Sequence, residues 1–284
     1  MVKIKNSRAA SFVVIFLVYA AAFVFGTWVY SLFDLDWWLR LLIADAAATA
    51  FTFAFSVVLG NASVYDPYWS VQPPIILICY AAVRGVNALG ILLVAAVSFW
   101  AVRLTANWAY TFSGLCRQDW RYTMLKEKTG PIYPLVNFTG IHMVPTLVVY
   151  GCILPAVYAV VQGLSPNLPS IIFICVSFFA AVLQGTADIQ MHKYRKARTG
   201  TFIRTGLWKY SRHPNYLGEI LMWWGIGLAV VSADPSAFYL LVGALANTAL
   251  FVFISIPLAD GRQSRKEGYE EYKKATRMLL PIKK

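Results

Sequence analysis

The residues best placed to do chemistry lie in Thr205-Gly-Leu-Trp-Lys-Tyr-Ser-Arg-His-Pro-Asn-Tyr-Leu-Gly-Glu219. Pro214 suits the first turn of a helix, where a missing N–H costs nothing. Asn215 and Glu219 are then four residues apart and project from one helix face. Upstream, Asp188 and Arg195 are seven apart, two helical turns, and share a face with His192. A third polar cluster is Arg117-Gln-Asp-Trp-Arg-Tyr122. Basic residues alone would suit lipid headgroups. These clusters mix acids, amides, tyrosines and arginines, which suits a ligand carrying both phosphates and hydroxyls. No glycine-rich dinucleotide fingerprint follows a strand, so a Rossmann site is excluded and a nucleotide would have to bind among helices and loops.

Two acids stand apart from these clusters. Asp45 sits among alanines in an apolar run, where it reads as a satisfied structural acid or as a catalytic one. Asp66 lies in Tyr65-Asp-Pro-Tyr-Trp-Ser-Val-Gln-Pro73. Aromatic surroundings favour the neutral form of a carboxyl, which then donates a hydrogen bond; the alternative is an N-cap before Pro67. Arg103 lies deep enough in an apolar run to need a partner, with Asp45 and Asp66 as candidates.

The elements that must hold these groups are membrane helices. Of 284 residues, 59% are hydrophobic and 13% charged. Soluble domains carry about 25% charged residues. Apolar runs at 11–33, 38–60, 75–83, 86–110, 141–162, 170–188, 216–231 and 237–258 predict an all-α polytopic bundle of seven or eight transmembrane helices. The intervening polar stretches, 111–140 among them, read as loops, and the chain reads as one domain, 1–284.

With eight spans, 22 of the 25 Lys and Arg fall on one face, together with both termini. The positive-inside rule makes that face cytoplasmic, in a bacterial inner membrane or one of endoplasmic-reticulum type. The net charge of +12 is therefore a loop property, not a nucleic-acid surface. The four cysteines show no metal-ligand spacing and read as reduced packing residues.

Residues 206–219, with Arg265-Lys-Glu-Gly-Tyr-Glu-Glu-Tyr272 and Leu279-Leu-Pro281, resemble the signature of the steroid 5-alpha-reductase and sterol reductase superfamily. The good match covers about 185–284. The resemblance implies hydride transfer from NADPH to the carbon–carbon double bond of an apolar enone entering from the bilayer. It also implies cofactor contacts for Asp188, Arg195, Tyr210, Arg212, His213, Asn215, Tyr216 and Glu219, with Arg121 and Tyr122 matching a related Asp-Trp-Arg-Tyr element.

In the steroid enzymes a Glu and a Tyr polarise the carbonyl. The matching positions are Asp66 and Trp100, three before Arg103. An indole N–H donates a hydrogen bond but supplies no proton. Either Tyr65 or Tyr68 takes over, or Asp66 acts alone, or the substrate is not a 3-keto-steroid; Asp66, Tyr65 and Tyr68 are the candidate catalytic residues. A shorter Arg-His-Pro-x-Tyr-x-Gly form occurs in isoprenylcysteine-type methyltransferases that use S-adenosylmethionine, and a scaffold that only binds lipid or sterol is a third reading. The implied partners are an apolar small molecule and membrane lipids.

Overall fold

The computed structural model describes residues 5–197 and 201–281. Among them the regular structure is helical, with a single parallel bridge between Ser211 and Arg277. In chain order the α-helices are α1 (Arg8–Ser31), α2 (Trp37–Val58), α3 (Tyr68–Arg84), α4 (Ala88–Thr111), α5 (Trp120–Thr129), α6 (Tyr133–Val136), α7 (Val144–Gln162), α8 (Leu168–Ala197), α9 (Pro214–Ala233), α10 (Val242–Leu250), α11 (Ile256–Gln263) and α12 (Tyr269–Ala275). Seven helical segments among the described residues are long and apolar enough to cross a membrane. Their outer faces carry large exposed apolar side chains such as Phe16, Phe179 and Phe253, as lipid-facing helices do.

Three boundaries differ from the sequence reading. The run at 75–83 belongs to α3, whose 17 residues rise about 25 Å against a hydrocarbon core of about 30 Å. Pro73 and Pro74 lie inside it and remove two N–H donors from its ladder. Placing the basic loops on one face requires this short helix to cross as an eighth span. The polar stretch 111–140 is not a loop throughout. It holds α5 and then passes through 3-10, α and π turns directly into α7, so that 120–162 is one helical segment. Finally α8 runs on past Asp188 to Ala197, carrying its polar face out as helix.

The chain forms two compact units, one of residues 1–75 and 104–150, the other of residues 76–103 and 151–284. In the first, α1 and α2 approach closely because Gly26 faces Ala48 and the Ala44 carbonyl. Tyr65 and Tyr68 pack at that core beside Ala22 and Ala48. In the second, α8 and α9 pack against each other along their length, and two glycines of α9 make this possible. A Cβ on Gly218 would stand 2.6 Å from the Ala180 carbonyl, and one on Gly225 would stand 2.2 Å from Ser177 Oγ and 2.7 Å from the Phe173 carbonyl. Ser177 also donates to the Met222 carbonyl across the same contact, at 3.0 Å. Gly151 and Gly243 make a second close crossing, between α7 and α10. Of the four cysteines only Cys152 is buried; Cys79, Cys116 and Cys175 are exposed, so the packing role expected from the sequence holds for one of them.

Overpacking a tight helix crossing typically costs about 1–3 kcal/mol. Gly225→Ala is therefore expected to lower the apparent Tm of the detergent-solubilised protein, because the Phe173 carbonyl, a backbone atom, blocks the new methyl as well as Ser177 Oγ. An unchanged Tm would mean that α8 and α9 are not in contact at this point.

Candidate functional site

The polar groups of the second unit form one connected ladder on α4, α8 and α9. At its deep end the Glu219 carboxyl is buried. Glu219 Oε2 accepts from Trp100 Nε1 at 2.8 Å and from Gln184 Nε2 at 2.5 Å, and Oε1 accepts from Trp223 Nε1 at 2.9 Å. The two indoles meet edge to face, with ring centroids 4.9 Å apart. Gln184 passes the ladder on: its Oε1 accepts from the Arg103 guanidinium at 2.5 Å. Arg103 in turn donates to Asp188 Oδ2 at 2.9 Å. The Asn215 side chain bonds Asp188, and the exposed Arg195 adds positive charge nearby.

The helix register produces this order. Gln184 and Asp188 are four apart on α8, Asn215 and Glu219 four apart on α9, and Trp100 and Arg103 three apart on α4. Asn215 and Glu219 share a face, as their spacing predicts. Arg103 pairs with Asp188, not with Asp45 or Asp66, which corrects the sequence reading. Two buried atoms of the ladder have no protein partner, Asn215 Oδ1 and Arg103 Nε. They offer one acceptor and one donor at the ladder's polar end.

Arg212 and His213, both buried, are engaged differently. Arg212 donates to Asp260 Oδ2 at 3.0 Å and to the Thr276 carbonyl at 2.6 Å. His213 Nε2 and the Tyr269 hydroxyl meet Asp260 Oδ1 at 2.9 and 2.5 Å. The Tyr272 hydroxyl donates to the Trp208 carbonyl. These bonds fasten the 269–278 tail to the motif, and the backbone joins them through Arg212 N–H to the Arg277 carbonyl. Gly206, at φ +61, lets the chain meet Gln190, whose Oε1 accepts from Leu207 N–H at 2.9 Å; Trp208 Nε1 donates to the Ala187 carbonyl. Tyr216 stacks on His213 and packs on Phe251, while Tyr210 is exposed beside Lys209. So of the motif residues, Asn215 and Glu219 join the ladder, and Arg212 and His213 form a clamp on the tail.

The first unit holds Asp66, Tyr65, Tyr68, Arg121 and Tyr122. Asn61 organises this region. Its side-chain amide donates to the carbonyls of Leu115 and Arg117 at 2.8 and 2.9 Å, and its Oδ1 accepts from Ser63 N–H. Asp119 N–H is fixed on Ser63 Oγ at 2.9 Å, and Asp119 caps α5. Tyr122 thereby reaches Asp66, donating to Oδ1 at 2.7 Å. Arg121 forks onto Asp119.

Asp66 follows the 3-10 turn Ala62–Tyr65 as its C-cap, so the N-cap reading does not hold. Burial raises its carboxyl to about 6, against the Tyr122 hydrogen bond, which lowers it. The Tyr65 hydroxyl meets Thr146 Oγ1 at 2.7 Å, and Thr146 meets Thr49 at 3.0 Å. Tyr68 bonds Thr49 and lies 5.3 Å from the Tyr65 ring, centroid to centroid. His142, on a π turn, packs 4.6 Å from Tyr65, centroid to centroid, and its Nδ1 faces the Asn137 carbonyl.

Sequence reasoning missed Gln184, Trp223, Asp260, Asn61 and His142. Gln184 carried a usable signal, since it precedes Asp188 by one helical turn. Asp260 pairs across 48 positions, and no local pattern marks it.

Breaking one partner out of a buried ion pair typically costs about 3–5 kcal/mol. Asp260→Asn should therefore release the tail, read as faster tryptic cleavage after Arg265 and Lys273; an unchanged rate would show that the clamp does not hold it.

Asp66 gives a second test. Its folded-state value of about 6 lies above the ordinary aspartate value of about 3.9, so the folded chain keeps a proton that the unfolded chain releases. The resulting stability is fully present below about pH 4 and lost as pH rises through about 6. In Asp66→Asn the fall in Tm between pH 4 and 7 should shrink, and an identical pH profile would contradict this.

Residues 52–276 match a family described as "Protein of unknown function (DUF1295)". An uncharacterized protein of Schizosaccharomyces pombe is 27% identical over 230 residues, which is 71% of this chain. The chain spans 64% of that relative's length. No solved structure matches. With most of its length matched, from the second transmembrane helix to the tail, the chain belongs to the DUF1295 family.

Proposed function

We propose that the protein is a membrane-embedded, NADPH-dependent reductase of the steroid 5-alpha-reductase superfamily, acting on the carbon–carbon double bond of an apolar enone. The observation that carries this reading is the ladder from Glu219 through Gln184 and Arg103 to Asp188 and Asn215. It joins the motif to the upstream Asp188, with the charge of Arg195 nearby, and the resemblance assigns both positions to cofactor contacts.

The residues fit the cofactor on chemical grounds. Asn215 Oδ1 is a buried acceptor without a protein partner, suited to a ribose hydroxyl. Arg195 is exposed and basic, suited to a phosphate. Bound there, NADPH supplies a hydride. Glu219, which the resemblance places at the cofactor, accepts from Trp100, Gln184 and Trp223. It anchors the ladder and orients Gln184, which orients Arg103, which fixes Asp188. Arg212 and His213, which the resemblance also places at the cofactor, hold the tail through Thr276 and Asp260.

Hydride addition to an enone leaves negative charge on the carbonyl oxygen, and a donor aimed at that oxygen stabilises it. Trp100 directs its N–H to Glu219 and so is not that donor. The reading therefore assigns the acid role to Asp66, which burial keeps protonated up to about pH 6, with Tyr65 and Tyr68 as neutral hydroxyl groups of the same unit. The basic face, with the ladder's polar end, is assigned to the cytoplasm, where NADPH is found.

Ligand binding raises apparent stability by about 2.7 kcal/mol at a hundredfold excess over Kd. NADPH should raise the Tm of the purified protein. Arg195→Ala and Asn215→Ala should each weaken its Kd about tenfold, equal to about 1.4 kcal/mol. Stabilisation by S-adenosylmethionine and not by NADPH would replace the reductase reading with the methyltransferase one.

A further inference from the structure

Asp45 is used neither by the ladder nor by the Asp66 cluster, yet it is a carboxyl group 5% exposed, in the middle of α2. Gln72 Nε2 donates to Asp45 Oδ2 at 2.7 Å. Gln72 is also buried. Two atoms of this pair have no protein partner, Asp45 Oδ1 and Gln72 Oε1. Both are acceptors if Asp45 is ionised, because a carboxylate has no donor and an amide oxygen has none. Two bare acceptors on adjoining groups, one of them charged, are a costly arrangement inside a bilayer.

One proton removes the whole difficulty. Protonated on Oδ1, Asp45 holds the one donor that the bare Gln72 Oε1 requires. Acid O–H to amide oxygen and amide N–H to acid oxygen close an eight-membered ring, the self-complementary pairing of a carboxylic acid with a primary amide. Every polar atom at the contact is then satisfied by one proton and no net charge. The groups around Asp45 are consistent with a neutral acid. The titratable side chains that face it are the phenols Tyr65, Tyr68 and Tyr150, none of them cationic.

We propose that Asp45 and Gln72 form a neutral acid–amide pair that holds one proton inside the membrane, next to the tyrosine cluster of the first unit. The pair is an intramembrane proton-holding site. When it gives up its proton the O–H bond breaks, the electron pair stays on Asp45 as carboxylate, and the acceptor gains one proton; no oxidant or reductant is involved. Within the reductase reading, on which this last role rests, the acceptor is the reduced substrate, which needs one proton for each hydride. Asp45 is then a second acid in addition to Asp66.

The test is the infrared spectrum of the purified protein near neutral pH, in H2O and D2O, for wild type, Asp45→Asn and Gln72→Leu. Asp45→Asn keeps the shape and allows an amide–amide ring, so it is expected to fold. A protonated-acid carbonyl band should be present in the wild type, shift in D2O and vanish in Asp45→Asn. In Gln72→Leu the same band should move to higher frequency, as for an acid that has lost its partner. If no acid band is lost in Asp45→Asn, Asp45 is ionised and the proposal is overturned. If the band is lost there but does not move in Gln72→Leu, the ring is overturned. A third readout isolates the catalytic role: Asp45→Asn should lower enone turnover at least tenfold while leaving the Kd for NADPH unchanged. Unchanged turnover in an active wild type would remove the proton-delivery role. Inactivity of the wild type towards enones would count against the reductase reading, and the spectra would still decide the pair.

Discussion

The second unit depends on how a carboxyl group is kept inside a helix pair. Glu219 sits where α9 meets α8, and that meeting is close enough only because Gly218 and Gly225 carry no side chain. A carboxylate is acceptor-only, so burial demands donors. Trp100, Gln184 and Trp223 provide three, one of them from a helix 119 positions away in sequence. Once Gln184 gives its N–H to Glu219, its oxygen is left to receive Arg103, and Arg103 is left to receive Asp188. Each member of the ladder is oriented by the one before it. Rigidity at the deep end is thus converted into a fixed position for Asp188 and Asn215 at the polar end, where a ligand could be read.

The clamp on the tail works on the same principle from the opposite direction. Asp260, at the end of the last long helical segment, collects Arg212, His213 and Tyr269. Arg212 has two further carbonyl partners in the tail, at Lys273 and Thr276. The planar guanidinium reaches three acceptors from two separate nitrogens, a spread that the compact ammonium of a lysine lacks. Arg-His-Pro therefore reads as an architectural unit: Arg and His hold the tail, and Pro starts the helix that presents Asn215. A motif conspicuous for its charge does much of its work by fastening the chain to itself.

The local features were legible in the sequence and the long-range ones were not. Pro214 begins α9, as its fixed φ and missing N–H imply, and the four-residue spacing of Asn215 and Glu219 places them on one face. The apolar runs located most of the long helices. The stretch at 111–140 reads as a polar connection, and it carries Pro131 and Pro134. In the structure each proline sits within the first two positions of a short helical turn, where its ring is tolerated. The partner of Arg103 was misassigned because an unpaired charge in an apolar run shows a need and not an address. The sequence offers Asp45 and Asp66, and packing brings Asp188 instead. Gln184 drew no notice because a neutral amide in an apolar helix looks unremarkable until its two ends are seen to join opposite charges.

Asp45 and Glu219 show two solutions to one problem. Both are acids on long apolar helices, and both are bonded by a glutamine. Glu219 has three N–H donors, and an arginine lies one residue further along, so the protein offers what an anion needs. Asp45 has one N–H donor, from Gln72, and phenols around it, and both its own Oδ1 and the Gln72 amide oxygen lack a protein partner. The chemistry of the partners decides what each acid can be. A glutamine that gives its N–H to Glu219 and its oxygen to Arg103 transmits charge; a glutamine that presents both groups to Asp45 complements a neutral acid. The same residue type thus supports a fixed charge in one unit and a stored proton in the other, and the difference lies in whether its oxygen finds a cation.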